Sequence, residues 1–189
     1  MTLVDQLGIE YLRLTDEGFE SAMTLNEFHQ QPYGLLNGGA ILAYCEAIAG
    51  EASNKLGTAD YEALKKAAGI DDAAHATDYE ELKVVAGTRA DKSGQKDFVQ
   101  MNLMAKGVQD ERLAAQLAKG PYVAVGQTVT GQHLNSMKSM GRVIATGTLI
   151  KKGNRNHVWQ IDIRNEEGLR ISQVTVVNAL IYPMGAKGK

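Results

Sequence analysis

The chain has 189 residues, 20 Lys and Arg against 22 Asp and Glu, and a net charge of -2. That length is enough to bury one well-packed domain, and a charge so close to neutral argues against a nucleic-acid binder held by bulk electrostatics. No apolar run approaches the roughly 20 residues that span a bilayer, and the single cysteine, Cys45, excludes an internal disulfide and suits a reducing cytoplasm. The opening Met1-Thr2-Leu3-Val4-Asp5 has neither a basic region nor an apolar stretch, so no secretory signal is expected there.

In chain order, residues 3–7 predict a short helix, and 9–14 with 19–25 a pair of antiparallel strands. A loop carrying Gln and Pro covers 26–36. A helix follows, apolar on nearly every face, to about Asn54; such a helix belongs in a core or inside a wrapping sheet. Residues 55–121 contain three helix-like stretches, Tyr61–Lys66, Asp78–Lys83 and Glu111–Leu117, punctuated by Gly57, Gly69, Gly87, Gly94 and Gly107. Thr77 before Glu80 has the form of a capping box, and 89–96 reads as a mobile connection. Strands are expected at 122–132, 139–151, 156–164 and 170–182, with turn chemistry at Lys152-Gly153-Asn154 and Asn165-Glu166-Glu167-Gly168. The order is α+β: a long helix cradled by an antiparallel sheet.

The run Gln31-Pro32-Tyr33-Gly34-Leu35-Leu36-Asn37-Gly38-Gly39 opens the apolar helix. Asn37 is an N-cap candidate, since its side-chain oxygen can accept from a free N–H two or three residues on. Gly38 and Gly39 lack a β-carbon, which either lets a ligand approach their amides or permits close helix packing. Glu46 is flanked one turn away by Leu42, Ala43, Ala49 and Gly50, none of which neutralises it. A carboxylate among apolar neighbours is costly unless it is used, and bare amides at a helix start attract developing negative charge. Together they suggest an oxyanion cradle with a base or nucleophile. Cys45, beside Glu46, faces about 100° away and reads as a small core residue.

These residues resemble the hot-dog fold thioesterases, in the branch of the phenylacetate-pathway and hydroxybenzoyl-CoA thioesterases. That branch reads Gln-Pro-Phe-Gly-x-Leu-His-Gly-Gly with a catalytic Glu nine residues after the His, the spacing of Asn37 and Glu46 here. Val125–Ser136 is similar to the family's strand ending in Asn-His-Leu-x-Ser, and 157–181 to its last two strands. The resemblance covers roughly residues 8–54 and 122–183. It implies a single hot-dog domain, 1–189, with an antiparallel sheet wrapped around a long central helix. Residues 55–121 are then a helical insertion, serving as a lid or as padding at an oligomer surface.

The resemblance further implies hydrolysis of an acyl-CoA by Glu46, with Gly38, Gln31 and Asn37 around the carbonyl oxygen, assisted by Gly39. His133, Asn135 and Ser136 would contact CoA, and Arg142, Arg155 or Lys138 its phosphates, by charge alone. It implies a homodimer or dimer of dimers with the site at the subunit interface, Glu46 coming from one subunit and Gln31, Asn37 and Gly38 from its partner. No cofactor, nucleic acid or membrane is expected, and CoA enters as part of the substrate. Two departures stand out. The family's His before Gly-Gly is Asn37, which does not titrate near neutrality, and its hydroxyl residue one turn after the Glu is Gly50. A non-catalytic acyl-CoA-binding protein and an acyl-thioester hydratase or dehydratase remain as alternatives. His29, His75, His133 and His157 show no metal-ligand spacing, and there is no P-loop and no G-x-S-x-G elbow.

Overall fold

The computed structural model describes residues 2–70 and 110–182. The expected helix at Asp78–Lys83, the Thr77–Glu80 cap, the 89–96 connection and His75 lie outside the described residues. The chain divides into two compact units. One takes in the described residues up to Asn54 and from Ala124 to Leu180; the other takes in those from Lys55 to Val123 and beyond Leu180.

The first unit begins with α1 (Leu3–Leu7), closed by a capping box in which Asp5 N–H donates to Thr2 Oγ1 and Thr2 N–H to the Asp5 carboxylate at 2.7 Å. Strands β1 (Ile9–Leu14) and β2 (Gly18–Thr24) pair antiparallel, and α2 starts at Gly38. β3 (Val123–His133), β4 (Arg142–Lys152), β5 (Asn156–Asn165) and β6 (Arg170–Ile181) complete one six-stranded sheet. Its order is β1-β2-β4-β5-β6-β3, which leaves β3 at an edge. The β2–β4, β4–β5 and β5–β6 ladders are antiparallel. This is the hot-dog architecture that the sequence led us to expect.

The helix is longer than expected. α2 runs Gly38–Ala67, 30 residues, and absorbs the stretch at Tyr61–Lys66 that the sequence set apart. Gly57 does not break it. A β-carbon there would stand 2.6 Å from the Tyr122 ring, so the glycine serves close packing; a helical Gly costs only about 1 kcal/mol relative to Ala. The helix ends where Gly69 takes φ 71° and Ile70 N–H reaches back to Lys65 O at 3.0 Å. In this second unit Tyr61 packs with Ala114, Leu117 and Ala118. α3 (Glu111–Leu117) is capped by Asp110, whose carboxylate accepts from Arg112 and Leu113 N–H.

In the first unit Tyr44, Cys45, Ile48, Ala49 and Ala52 of α2 are buried, as are Trp159, Ile161 and Ile163 on alternate positions of β5. Phe19 packs against Trp159, with ring centroids 5.0 Å apart and planes tilted by 48°, and fills the space a side chain at Gly147 would need. A polar node sits inside this core. Ser53 Oγ accepts from Trp159 Nε1–H at 2.8 Å and from Asn178 Nδ2–H at 3.2 Å, and lies 3.1 Å from His157 Nδ1. Among the described residues, no helix is long and apolar enough to cross a membrane.

Candidate functional site

The loop before α2 is tied down at both ends. His29 is fully buried; its Nδ1 accepts from Asn26 N–H at 3.1 Å, which leaves Nε2–H to donate to Leu7 O at 3.1 Å. His29 O in turn accepts from Asn37 N–H at 2.8 Å, fixing the residue at the mouth of the helix. Gln31 is held by a tight turn: Gly34, at φ 78°, donates its N–H to Gln31 O, and Gln31 N–H donates to Leu35 O. Leu36 N–H then joins Met137 O at 2.9 Å, so this loop and residues 137–139 form one wall.

Asn37 caps α2. Its carboxamide oxygen accepts from Gly39 N–H at 2.8 Å, and its carbonyl accepts from Ala40 N–H at 3.1 Å. The Gly39 amide is therefore already bonded. The Gly38 amide has no acceptor among the described residues, and Gly38 lines a cavity of about 320 Å³ together with Gln31, His133, Asn135 and Ser136. The structure thus gathers five of the eight expected site residues in one cavity. Asn37, Gly39 and Glu46 are not among its lining residues.

Glu46 sits elsewhere on the same helix, eight residues from Gly38, or about 12 Å along the axis at 1.5 Å per residue. It is exposed, and its side chain lies across β3: a β-carbon at Gly126 would stand 3.1 Å from its carboxyl carbon. One turn back, Leu42 leans in the same way over Gly131. The stripe Gly38, Leu42, Glu46 thus follows His133, Gly131 and Gly126 down the edge strand in reverse order. The sequence led us to expect apolar surroundings for Glu46; of its one-turn neighbours Ala49 is buried and Leu42, Ala43 and Gly50 are half-buried, but Glu46 itself is exposed. Cys45 is buried, and burial pushes its thiol well above the usual range, which keeps it protonated and inert.

The remaining candidates separate by position. Asn135 donates from Nδ2 to Arg170 O at 2.8 Å and so braces the entry to β6. Arg142 is ion-paired with Glu10. Arg155 precedes β5, where Asn156 pairs with Ala179. Ala179 is seven residues along β6 from the cavity residue Ser172, about 23 Å at 3.3 Å per residue, so Arg155 is removed from this cavity. Lys138 adjoins the cavity residues Ser136 and Met137. The sequence reading missed Ser172, fully buried and 2.9 Å from His133 Nδ1. Its signal was present in β6, where Ser172, Val174, Val176 and Asn178 share the buried face and two of them are polar.

Comparison with known proteins sets this geometry in a family. No family model matches the chain. A solved structure from Lactococcus lactis, yhdA, described as a candidate thioesterase, is 33% identical with a TM-score of 0.61, over 96% of this chain and 99% of that one. The chain belongs to the hot-dog thioesterase family. The proofreading thioesterase EntH of Cronobacter turicensis is 49% identical over 47 residues, 25% of this chain. That match spans only about a third of the length of the curated relative, 34%. A thioesterase protein from Streptococcus pneumoniae, solved with coenzyme A, shares the fold at 13% identity and a TM-score of 0.52, over 92% of this chain and 86% of that one.

Proposed function

We propose that the protein hydrolyses acyl-CoA thioesters to the free acid and CoA thiol. The observation that carries this reading is Gly38, whose amide is left without an acceptor among the described residues at the start of α2 and which lines a cavity shared with Gln31. A carbonyl oxygen placed there gains negative charge as the tetrahedral intermediate forms, and the amide and helix dipole stabilise it. Glu46 supplies the carboxylate. It either adds to the carbonyl carbon, forming an anhydride that water then opens, or takes a proton from a water that adds instead. In both routes the C–S bond breaks, the sulfur leaves as thiolate, and the proton released ends on the thiol. The coenzyme A present in the Streptococcus pneumoniae structure supports CoA as the thiol.

A span of about 12 Å between the Gly38 amide and Glu46 along one helix is too long for both to act on one carbonyl. We therefore infer a homodimer, or a dimer of dimers, in which Glu46 of one copy faces the cavity of the other. The exposed edge strand β3, carrying both Gly126 and His133, supports this reading, because an open edge is where a second strand adds. In the same reading, residues 1–189 are one domain with an insertion at 55–121, and the protein is cytoplasmic.

Steady-state release of free thiol from a panel of acyl-CoAs tests the activity, with Glu46→Gln as the control. Turnover by the parent protein and loss of more than about 10³-fold in the variant is expected, with the fold and CoA binding retained. Turnover within a few-fold of the parent sinks the role of Glu46. A non-catalytic binder releases no thiol, and a hydratase leaves the thioester intact. In a single turnover in ¹⁸O-water, label entering Glu46 marks the anhydride route.

A further inference from the structure

We propose that His133 supplies the imidazole donor that position 37 lacks, and that Ser172 fixes its tautomer as a positioning residue. The proposal rests on the acyl-thioester reading above. His133 stands at the end of β3, and the Nε2 side of its ring meets the start of α2: a β-carbon at Gly38 would be 2.9 Å from Cδ2 and 3.1 Å from Cε1, with Nε2 nearer still. The ring atom closest to the helix mouth is therefore Nε2, and it enters no hydrogen bond among the described residues. At the other side of the ring, Nδ1 lies 2.9 Å from Ser172 Oγ.

The tautomer follows from where the hydroxyl proton can go. Ser172 is fully buried, and His133 Nδ1 is its side chain's hydrogen-bond partner among the described residues. If Nδ1–H donated to Ser172 Oγ, the Ser172 O–H would be buried with nothing to accept it, at a cost comparable to a lost hydrogen bond. If Ser172 O–H donates to Nδ1, both groups are satisfied and the proton of the neutral ring sits on Nε2. Nε2 then stands against Gly38, whose N–H has no acceptor among the described residues, and both residues line the cavity that Gln31 also lines. In the proposed site these two donors, from different elements, serve one developing oxyanion. Asn37 is not among the residues lining this cavity, and its carboxamide oxygen caps Gly39 N–H. The imidazole is thus supplied from the edge strand in place of the residue before Gly-Gly, and the hydroxyl that orients it comes from β6.

Two measurements test the pair. Long-range ¹H–¹⁵N spectra of histidine-labelled full-length protein, with the His133 signals among the four histidines assigned by their loss in His133→Phe, should show a protonated Nε2 and an accepting Nδ1. In Ser172→Ala the two tautomers should mix, and in Ser172→Thr the parent pattern should return. With acyl-CoA, His133→Phe should lower kcat by about 10²-fold with little change in KM. Ser172→Ala should lower kcat about tenfold, and Ser172→Thr should stay within about twofold of the parent. A protonated Nδ1 in the parent protein, or a His133→Phe variant with parental kcat, overturns the proposal. A parent protein that releases no thiol from any acyl-CoA overturns the activity and the donor role together, whereas a parent that turns over beside a folded His133→Phe variant with kcat about 10²-fold lower and KM little changed upholds both.

Discussion

The Glu46 carboxylate occupies the space that a side chain at Gly126 would fill. A β-carbon on that glycine would lie 3.1 Å from the Glu46 carboxyl carbon and 3.2 Å from its Cγ, with Oε1 closer. The strand therefore has no side chain where α2 sends the Glu46 carboxylate across the sheet edge. Gly126→Ala should push the flexible end of Glu46 aside at little cost to folding, within about 0.5 kcal/mol, while kcat falls by ten- to a hundred-fold as the carboxylate is misplaced. Thiol-release kinetics beside urea unfolding measure the two effects separately. A stable variant with parental kcat would show that the position of Glu46 does not matter.

Asn37 offers a test of capping against catalysis. Its carboxamide oxygen holds Gly39 N–H at 2.8 Å, so Asn37→Ala should cost about 1 kcal/mol. That corresponds to a melting temperature lower by about 2–4 °C in a chain of this size. Asn37→Asp keeps the accepting oxygen and adds charge at the positive end of the helix, and should melt at or above the parent temperature. If Asn37 acts only as a cap, the Asp variant also keeps parental kcat; a Tm that is kept while kcat collapses would reveal a catalytic amide donor.

The proposed shared-site arrangement makes a quantitative forecast. Glu46→Gln and His133→Phe each disable the site by a different element, and neither variant should turn over well alone. Refolded together in equal amounts, half of the dimers are mixed, and each mixed dimer holds one site with an intact Glu46 and an intact His133. The mixture should recover about a quarter of parental activity, from the two-fold symmetry of such an assembly. No recovery, with mixed dimers demonstrated by mass spectrometry, would place both residues in the same protomer's site.

Ser53 joins α2 to β5 and β6 through Trp159 Nε1–H and Asn178 Nδ2–H. Ser53→Ala removes the acceptor from two fully buried donors. At about 1–3 kcal/mol for each of the two orphaned groups, unfolding should be easier by roughly 2–6 kcal/mol. Urea denaturation checks this, and a change below about 0.5 kcal/mol would mean that the donors find other partners.

The architecture was legible in the sequence because it is written in local patterns: alternation along β5 and β6, glycine and asparagine at the turns, and an apolar helix opened by Asn37-Gly38-Gly39. Asn37 as the cap, Gly38 as a bare amide and Glu46 as the helix acid could all be named from the order of residues. Local pattern also misled. Gly57 looked like punctuation, but its purpose is the Tyr122 ring that fills the place of a side chain, and no sequence window contains both residues. The pairing of Ser172 with His133 was hidden for the same reason, since those residues are 39 positions apart and meet through the sheet. The sequence by itself determined which groups are chemically able to act. Tertiary packing alone decided which face each other: it left the Gly38 amide open, tied the Gly39 amide to Asn37, laid Glu46 over Gly126 and turned His133 Nε2 toward the start of the helix. Chemical type belongs to a residue, whereas distance and hydrogen-bond partner belong to the fold.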